Sequence, residues 1–453
     1  MAIADPSAAA PETDTIVGWL TTELGGTVTA IRRQPRWRPV WFADVERDGE
    51  TLELCVRGDR TDVELVFPLE HEMRFARVLH EQGIPVPKVY GWIDGVRAYV
   101  VDRAPGRPDF DGVPDAERDT VVDEYVQALA RIHSLDLAPF VAAGIERAPH
   151  PDESGLVGMQ RYERIYRKQK HRPDPLMEFA LGWLRRHPPQ SRGRECAVVW
   201  DSGQFHHSDG HLVAVLDLEL GHLGDPMMDL AGWRMRDSIL PYGDFAKLYD
   251  RYAELTGEPV DLDAVQLHHI AFTLTNSLIF SDRLRHPDAD TDYMTYLQWC
   301  NETNLYTTEA LAEYLDLELP TVEEPPARTN QVSNTHRHLV RSLRTIRSDD
   351  DFVRYQIRMA FRVAGHLDRY NEIGDAVEQA DLDDLHELLG HRPESWLDGE
   401  AELEQFVLAD ADSGRHDEAL IRLLHRRNLR AQMLNGAPGS AMTRHNPIQS
   451  FRA

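Results

Sequence analysis

The sequence predicts an α+β protein in which a small antiparallel β-sheet lobe precedes a larger, mostly helical lobe, with a C-terminal helical extension beyond it. Three observations predict it. Around Asp48-Gly49 the stretch PVWFADVER reads as a strand, and Asp-Gly, a hairpin turn signal, leads it into TLELCVRG as an antiparallel partner. From Asp115 the period changes, with Val121, Val122, Tyr125, Leu129 and Ile132 on one helical face. The stretch LPTVEEPPARTN then breaks all periodicity with its prolines, and the chain beyond it is again helical. The expected organisation is a disordered tail at 1–12, a β-rich lobe at 13–105, a helical lobe at 106–319, a linker at 320–330 and an extension at 331–453.

At 453 residues the chain is long enough for two or three domains with cores of their own. Its formal net charge of -27 argues against general binding to nucleic acid or to anionic membrane, while leaving room for a local basic pocket. No apolar run reaches membrane-spanning length, and the opening MAIADPSAAAPETD lacks the basic flank and apolar core of a secretory leader. The three cysteines, Cys55, Cys196 and Cys300, lie far apart in or beside apolar runs, as reduced core residues do. The expectation is a cytoplasmic protein with no nucleic-acid and no membrane partner.

In chain order, Ile16, Trp19 and Leu20 mark a helix that Gly25-Gly26 stops. Alternation from Thr27 to Arg33 gives a first strand, followed by the hairpin already described. A helix from about Pro68 to Gln82 carries Leu69, Met73, Ala76, Val78 and Leu79, and Gly83 with Pro85 ends it. IPVPKVYGWIDG and VRAYVVDRAPG complete the strands of the first lobe. Later helices are expected at roughly 244–255, 262–280 and 293–314.

Residues 196–237 carry the chemistry. The apolar run Cys196 to Trp200 delivers Asp201, and a second run, Leu212 to Leu216, delivers Asp217 and then Glu219. If SGQFHHSDG joins the two runs as a hairpin, the acidic ends sit close together, which is costly unless a proton or cation is shared. Hard oxygen ligands such as Asp217 suit magnesium, which takes one or two carboxylates and fills its other positions with water and substrate phosphates.

AVLDLELGHLGDPMMDLAGW resembles the metal-binding segment of the aminoglycoside phosphotransferase and choline kinase superfamily, whose fold is protein-kinase-like. The resemblance spans roughly residues 13–320, with Asp217 as the metal-binding aspartate, the turn Gly224-Asp225-Pro226, and a helix start at Asp229. It implies that the first lobe binds ATP with Mg2+ and that Asp201 is the catalytic aspartate, with Val199 where the family has His. Gln204 stands where the family places its metal-binding Asn, and supplies a similar amide oxygen. His206 is the alternative ligand, and Glu219 a second-metal or supporting one. Arg57 replaces the phosphate-holding Lys, oriented by Glu72 on the next helix, with a planar fork in place of a point charge. RRQPRWRPVW, at the position of the glycine-rich loop, has no glycine, so Arg36 and Arg38 would grip phosphate through side chains. The strand AYVVDRAPG resembles the adenine-pairing hinge, around Val101 to Arg103.

The activity implied is transfer of the ATP γ-phosphoryl group to a hydroxyl of a small molecule, either a hydroxyacyl-coenzyme-A-like metabolite or an aminoglycoside- or choline-like alcohol. The second reading is a catalytically weak nucleotide-binding regulatory protein that keeps the fold. Arg337, Arg341, Arg344 and Arg347, then Arg354, Arg358 and Arg362, fall largely on one face if they occupy one helix or two in line. Facing the cleft, that stripe favours an anionic substrate. Facing outward, it is a solvated surface, or meets an acidic partner or a second subunit, giving a homodimer through the C-terminal extension.

Overall fold

The structure is a computed structural model and describes residues 10–189 and 193–451. Most of the expected tail, residues 1–9, lies outside the described residues, and helix α1 begins at Ala10. The order is α1 (Ala10–Thr22), β1 (Thr27–Arg33), β2 (Val40–Arg47), β3 (Glu50–Gly58), α2 (Leu69–Glu81), β4 (Val89–Ile93), β5 (Ala98–Asp102), α3 (Asp115–His133) and α4 (Ala138–Ala142). It continues with α5 (Val157–Gln169), α6 (Pro175–Arg186), β6 (Cys196–Val198), β7 (Phe205–Ser208), β8 (His211–Val215), β9 (His222–Gly224), α7 (Met227–Asp237) and α8 (Phe245–Thr256). The remainder is helical: α9 (Leu262–Thr273), α10 (Thr275–Arg285), α11 (Tyr293–Leu315), α12 (Ser333–Thr345), α13 (Asp351–Leu389), α14 (Trp396–Asp410) and α15 (Asp417–Leu434). The α+β class is therefore as expected. No helix among the described residues is long and apolar enough to cross a membrane.

The chain divides into two compact units, Met1–Gly158 with Gln190–Val265, and Met159–Pro189 with Gln266–Ala453. The first unit holds a five-stranded sheet of order β1-β2-β3-β5-β4, antiparallel throughout. Asp48 and Gly49 both take positive φ, the conformation that a two-residue hairpin matching strand twist requires. Strand alternation then sorts the side chains. Trp41, Ala43, Val45, Leu54, Val56, Ala98 and Val100 pack with Ile16, Leu20 and Leu24 of α1, while Tyr99 and Val101 on the other face pack with Leu69 and Met73 of α2. Because Arg57 pairs with Tyr99 across β3 and β5, that second face also carries the Arg57 side chain.

Residues 196–216 differ from the expected hairpin. β6 pairs with β9, not with β8, and β8 pairs with β7, which lies inside the stretch expected to be a loop. The reason is local: Asp209 and Gly210, both at positive φ, form a two-residue turn that closes FHHS onto HLVAV.

In the second unit, the predicted 262–280 helix is two helices, broken at Leu274. Thr273 and Thr275 hydroxyls donate to the carbonyls of Ile270 and Phe272 at the break. Residues 317–330 form neither helix nor strand. The arginine stripe is not on two helices in line. Ser333 and Asn330 meet Asn371, and Arg344 lies over Phe361, so α12 folds back antiparallel on α13. Arg354 pairs with Asp351, and Arg362 turns inward to Thr295 and Gln298 at 2.7 and 3.0 Å.

Candidate active site

The cleft of the first unit, about 460 Å³, lies between the second sheet face and residues 203–206, 215–218 and 236–242. Its floor is an ionic network. Arg57 Nε lies 2.7 Å from Glu72 Oε1, and its Nη2 donates to Asp217 Oδ1 at 2.7 Å and to Glu219 Oε2 at 3.4 Å. Glu72 is held again by the Tyr99 hydroxyl at 2.8 Å and by Arg38 at 3.4 Å. Burial opposes the charge on Arg57, but Glu72 and Asp217 outweigh it and lift its pKa well above the ordinary value. Burial likewise works against ionisation of Asp217, yet Arg57, Arg38 and Arg236 bring its pKa down to about 2.

Asp201 sits in the opposite balance. Its carboxylate accepts from Arg236 Nε and Nη2 and from Gln204 Nε2, but burial still raises its pKa above the usual carboxylate range. The turn that presents it is strained: Trp200, immediately before it, has φ +64°, and Asp217 itself has φ +55°. Asp229 at the start of α7 holds that turn by accepting from the backbone N–H of Val199 at 3.0 Å and of Trp200. His133 Nε2 donates to Asp229 at 2.9 Å, and the Tyr252 hydroxyl contacts His133 Nδ1 at 2.6 Å. Gly203 is pinned from both sides, its N–H donating to the Tyr125 hydroxyl and its carbonyl accepting from Tyr242, each at 2.6 Å.

Arg36 and Arg38, both expected to grip phosphate, are placed differently. Arg36 lines the cleft with no carboxylate partner among the described residues, and burial together with neighbouring Arg57 lowers its pKa. Arg38 does not line the cleft; it is 1 % exposed beneath it and pairs with Glu72 and Glu219. Val101 and Arg103 line the cleft, but the backbone N–H groups of Asp102 and Arg103 are already taken by the carbonyls of Lys88 and Glu53. The Arg103 side chain pairs with Asp44 and Glu53 at 2.9 and 2.7 Å. His206 donates from Nδ1 to the Pro105 carbonyl at 3.0 Å, whereas Gln204 is joined to Asp201. Asp225 accepts from the Met227 N–H, and burial raises its pKa to about 6.

Arg236 and His133 are among the residues of the site absent from the expectations drawn from sequence. Arg236 lies seven residues after Asp229, two helical turns along the same face of α7, and that spacing is the signal that could have found it. His133, from the end of α3, has no local signal. As for a cation, no three His, Cys, Asp or Glu side chains among the described residues form a preformed metal cage. Asp217 Oδ2 and Gln204 Oε1 have no partner among the described residues, and one carboxylate with an amide oxygen is a donor set that fits magnesium arriving with phosphates.

The model of the Phosphotransferase enzyme family matches residues 27–268, more than half of the chain. The chain belongs to this family. Its five-stranded sheet with α1 and α2, followed by a mostly helical remainder, is the α+β arrangement expected from the family resemblance. Among the relatives of this family member, acyl-CoA dehydrogenase family member 11 of Rattus norvegicus is 31% identical over 176 residues, covering 36% of this chain and 22% of that protein. Acyl-CoA dehydrogenase family member 10 of Mus musculus is 30% identical over 183 residues, covering 36% and 16%. The chain thus matches about a fifth of these relatives' length. Among solved structures, macrolide 2'-phosphotransferase MphH from Brachybacterium faecium aligns with a TM-score of 0.43 at 19% identity, covering 61% of this chain and 94% of that one. Choline kinase LicA from Streptococcus pneumoniae aligns at 0.45 with 15% identity, covering 65% and 97%.

Proposed function

We propose that this phosphotransferase family member transfers the γ-phosphoryl group of ATP to a hydroxyl of an anionic small molecule, a hydroxyacyl-coenzyme-A-like metabolite. The supporting observation is that every acidic side chain lining the cleft is already engaged. Glu72 and Asp217 are paired with Arg57, and Asp102 accepts from the Tyr90 hydroxyl at 2.8 Å and the Lys88 N–H at 3.2 Å. Among the described residues a cationic aminoglycoside or choline would find no unpaired carboxylate there, whereas Arg36 lines the cleft without an ion pair to a carboxylate. The acyl-CoA in the relatives' names points the same way.

In this reading Asp201 accepts the acceptor's hydroxyl proton as the oxygen attacks the γ-phosphorus, a P–O bond forms, the bond to the β-phosphate oxygen breaks, and ADP leaves. The transition state of such a transfer is loose and charge-rich, so positioning and charge neutralisation do most of the work. Arg57, held by Glu72, and Arg36 neutralise the phosphates. Asp217 with Gln204 would hold magnesium, which when bound shields the charge of the phosphate oxygens. Glu219 fixes Arg38 beneath.

The weak-binder reading draws on one observation, the full engagement of Asp201 by Arg236 and Gln204. Conversion of ATP to ADP across hydroxyacyl-CoAs, free hydroxy acids, choline and aminoglycosides separates the readings. Turnover dependent on a hydroxyacyl-CoA is expected. Turnover with the cationic alcohols alone would overturn the substrate class, and magnesium-independent nucleotide binding without turnover would favour the second reading. The homodimer through the extension rests on Leu339 of the basic helix α12 and on Val332 and Ile346 at its two ends, each about half exposed in an acidic chain. Sedimentation of the full chain at low and high salt tests it, and a monomer at both would refute it.

A further inference from the structure

The carboxylate of Asp201 is saturated. Arg236 Nε and Nη2 donate to Oδ1 at 2.9 and 2.7 Å, Nη2 also reaches Oδ2 at 2.6 Å, and Gln204 Nε2 donates to Oδ2 at 2.8 Å. A carboxylate offers about four lone-pair sites, and these contacts fill them. An acceptor hydroxyl therefore has nowhere to deliver its proton until a donor leaves. Gln204 can keep its N–H on Asp201 while its Oε1 faces a cation, so the donor that must leave is Arg236.

Arg236 is placed to do so. It lies in the last turn of α7 on the cleft wall with its side chain 26% exposed, and Asp201 is its carboxylate partner among the described residues. Removing one member of a buried pair leaves an uncompensated charge, and water at a half-closed site replaces it poorly. Another anion replaces it well, because planar guanidinium grips carboxylate and phosphate through two parallel N–H bonds.

We propose that Arg236 determines acceptor specificity: an anionic group borne by the acceptor near its hydroxyl, a carboxylate or phosphate, takes over the guanidinium and thereby unmasks Asp201. What Asp201 then does rests on the phosphotransfer reading above; the anion site does not. Two consequences follow from the geometry. Neutral hydroxyl compounds leave Asp201 masked and are poor acceptors. Water is masked out with them, so ATP hydrolysis without acceptor is suppressed.

Calorimetry with sulfate as the probe tests the site, using the full chain as wild type, Arg36→Ala and Arg236→Gln. The expected result is that Arg236→Gln weakens sulfate binding at least tenfold, while Arg36→Ala leaves that component in place. In parallel, acceptor-free ATP hydrolysis should rise about tenfold in Arg236→Gln, and sulfate should stimulate hydrolysis in the wild type but not in the variant. Equal sulfate affinity in wild type and Arg236→Gln overturns the proposal, whatever the turnover. So does a uniform fall in kcat on all acceptors with unchanged KM, which would place Arg236 on the transferring phosphoryl group. If Arg236→Gln fails to fold by circular dichroism, Arg236→Lys keeps the charge without the fork and should show the same changes at smaller size. Absence of ATP turnover in every variant would remove the phosphotransfer reading and leave the sulfate comparison to decide the anion site.

Discussion

Asp217 lines the cleft and Asp201 lies behind its Arg236 and Gln204 wall, each carboxylate held by an arginine, and their surroundings push them in opposite directions. Asp217 meets Arg57 inside a network that also contains Arg38, and its pKa falls to about 2. Asp201 meets Arg236 and Gln204, and burial still raises it. The difference follows from the number of cations that each carboxylate faces for a similar loss of water. It suits a division of labour: a group that stays ionised suits a cation, and a group poised upward suits proton transfer.

Removing the Asp217 charge is the most drastic way to break the comparison. Asp217→Asn should lower phosphoryl transfer by about a thousandfold, of the order that metal-site removal produces, and should abolish the magnesium dependence of ATP binding in calorimetry. Unchanged magnesium dependence would move the metal site elsewhere. Next in size is an insult to the Asp201 side alone. A Cβ added at Gly232 would lie 2.0 Å from the Trp200 carbonyl oxygen. Because that contact is backbone, Gly232→Ala should cost about 2–3 kcal/mol by chemical denaturation and displace the turn carrying Asp201. A loss of turnover larger than the loss of ATP affinity would confirm where the strain falls.

The smallest effect is a pH dependence with opposite signs at the two sites. A carboxylate whose folded pKa lies below its unfolded value contributes stability above the unfolded value and loses it as pH falls. Asp217, depressed to about 2, should therefore contribute about 1–2 kcal/mol at neutral pH, discounted for its partial exposure, and lose it between pH 4 and pH 2. Asp201, raised, behaves inversely: its folded state favours the proton, and its contribution is lost as pH rises through the folded value. Denaturation of Asp217→Asn and Asp201→Asn from pH 3 to pH 7 should give stability differences from wild type that change in opposite senses. Parallel profiles would remove the contrast.

How much of this was legible depended on range. The sheet lobe could be read because period-two alternation and the Asp48-Gly49 turn are local signals. Arg57, Glu72, Asp201 and Asp217 were legible as ends of apolar runs or, for Glu72, as a place on the next helix; the structure lines one cleft with Arg57, Glu72 and Asp217 and ties Asp201 to it through Arg236. The pairing of Cys196–Val198 with His222–Gly224 was not, since alternation tells which face a residue takes but not which strand it meets. Nor was the separation of Arg36 from Arg38, two residues apart in one loop, because only the positions of Glu72 and Glu219 decide which of them is buried. His133 reaches Asp229 from 96 residues away, so no window of sequence could contain that pair.

The most direct test of the account is acceptor-dependent ATP turnover in Asp201→Asn, measured alongside nucleotide affinity. The account predicts that MgATP binds within about twofold of wild type, because Asp201 meets Arg236 and the Gln204 amide N–H and an Asn side-chain oxygen can still accept from Gln204, while turnover falls by about two to four orders of magnitude, the range for loss of a general base. Turnover retained in Asp201→Asn would contradict it.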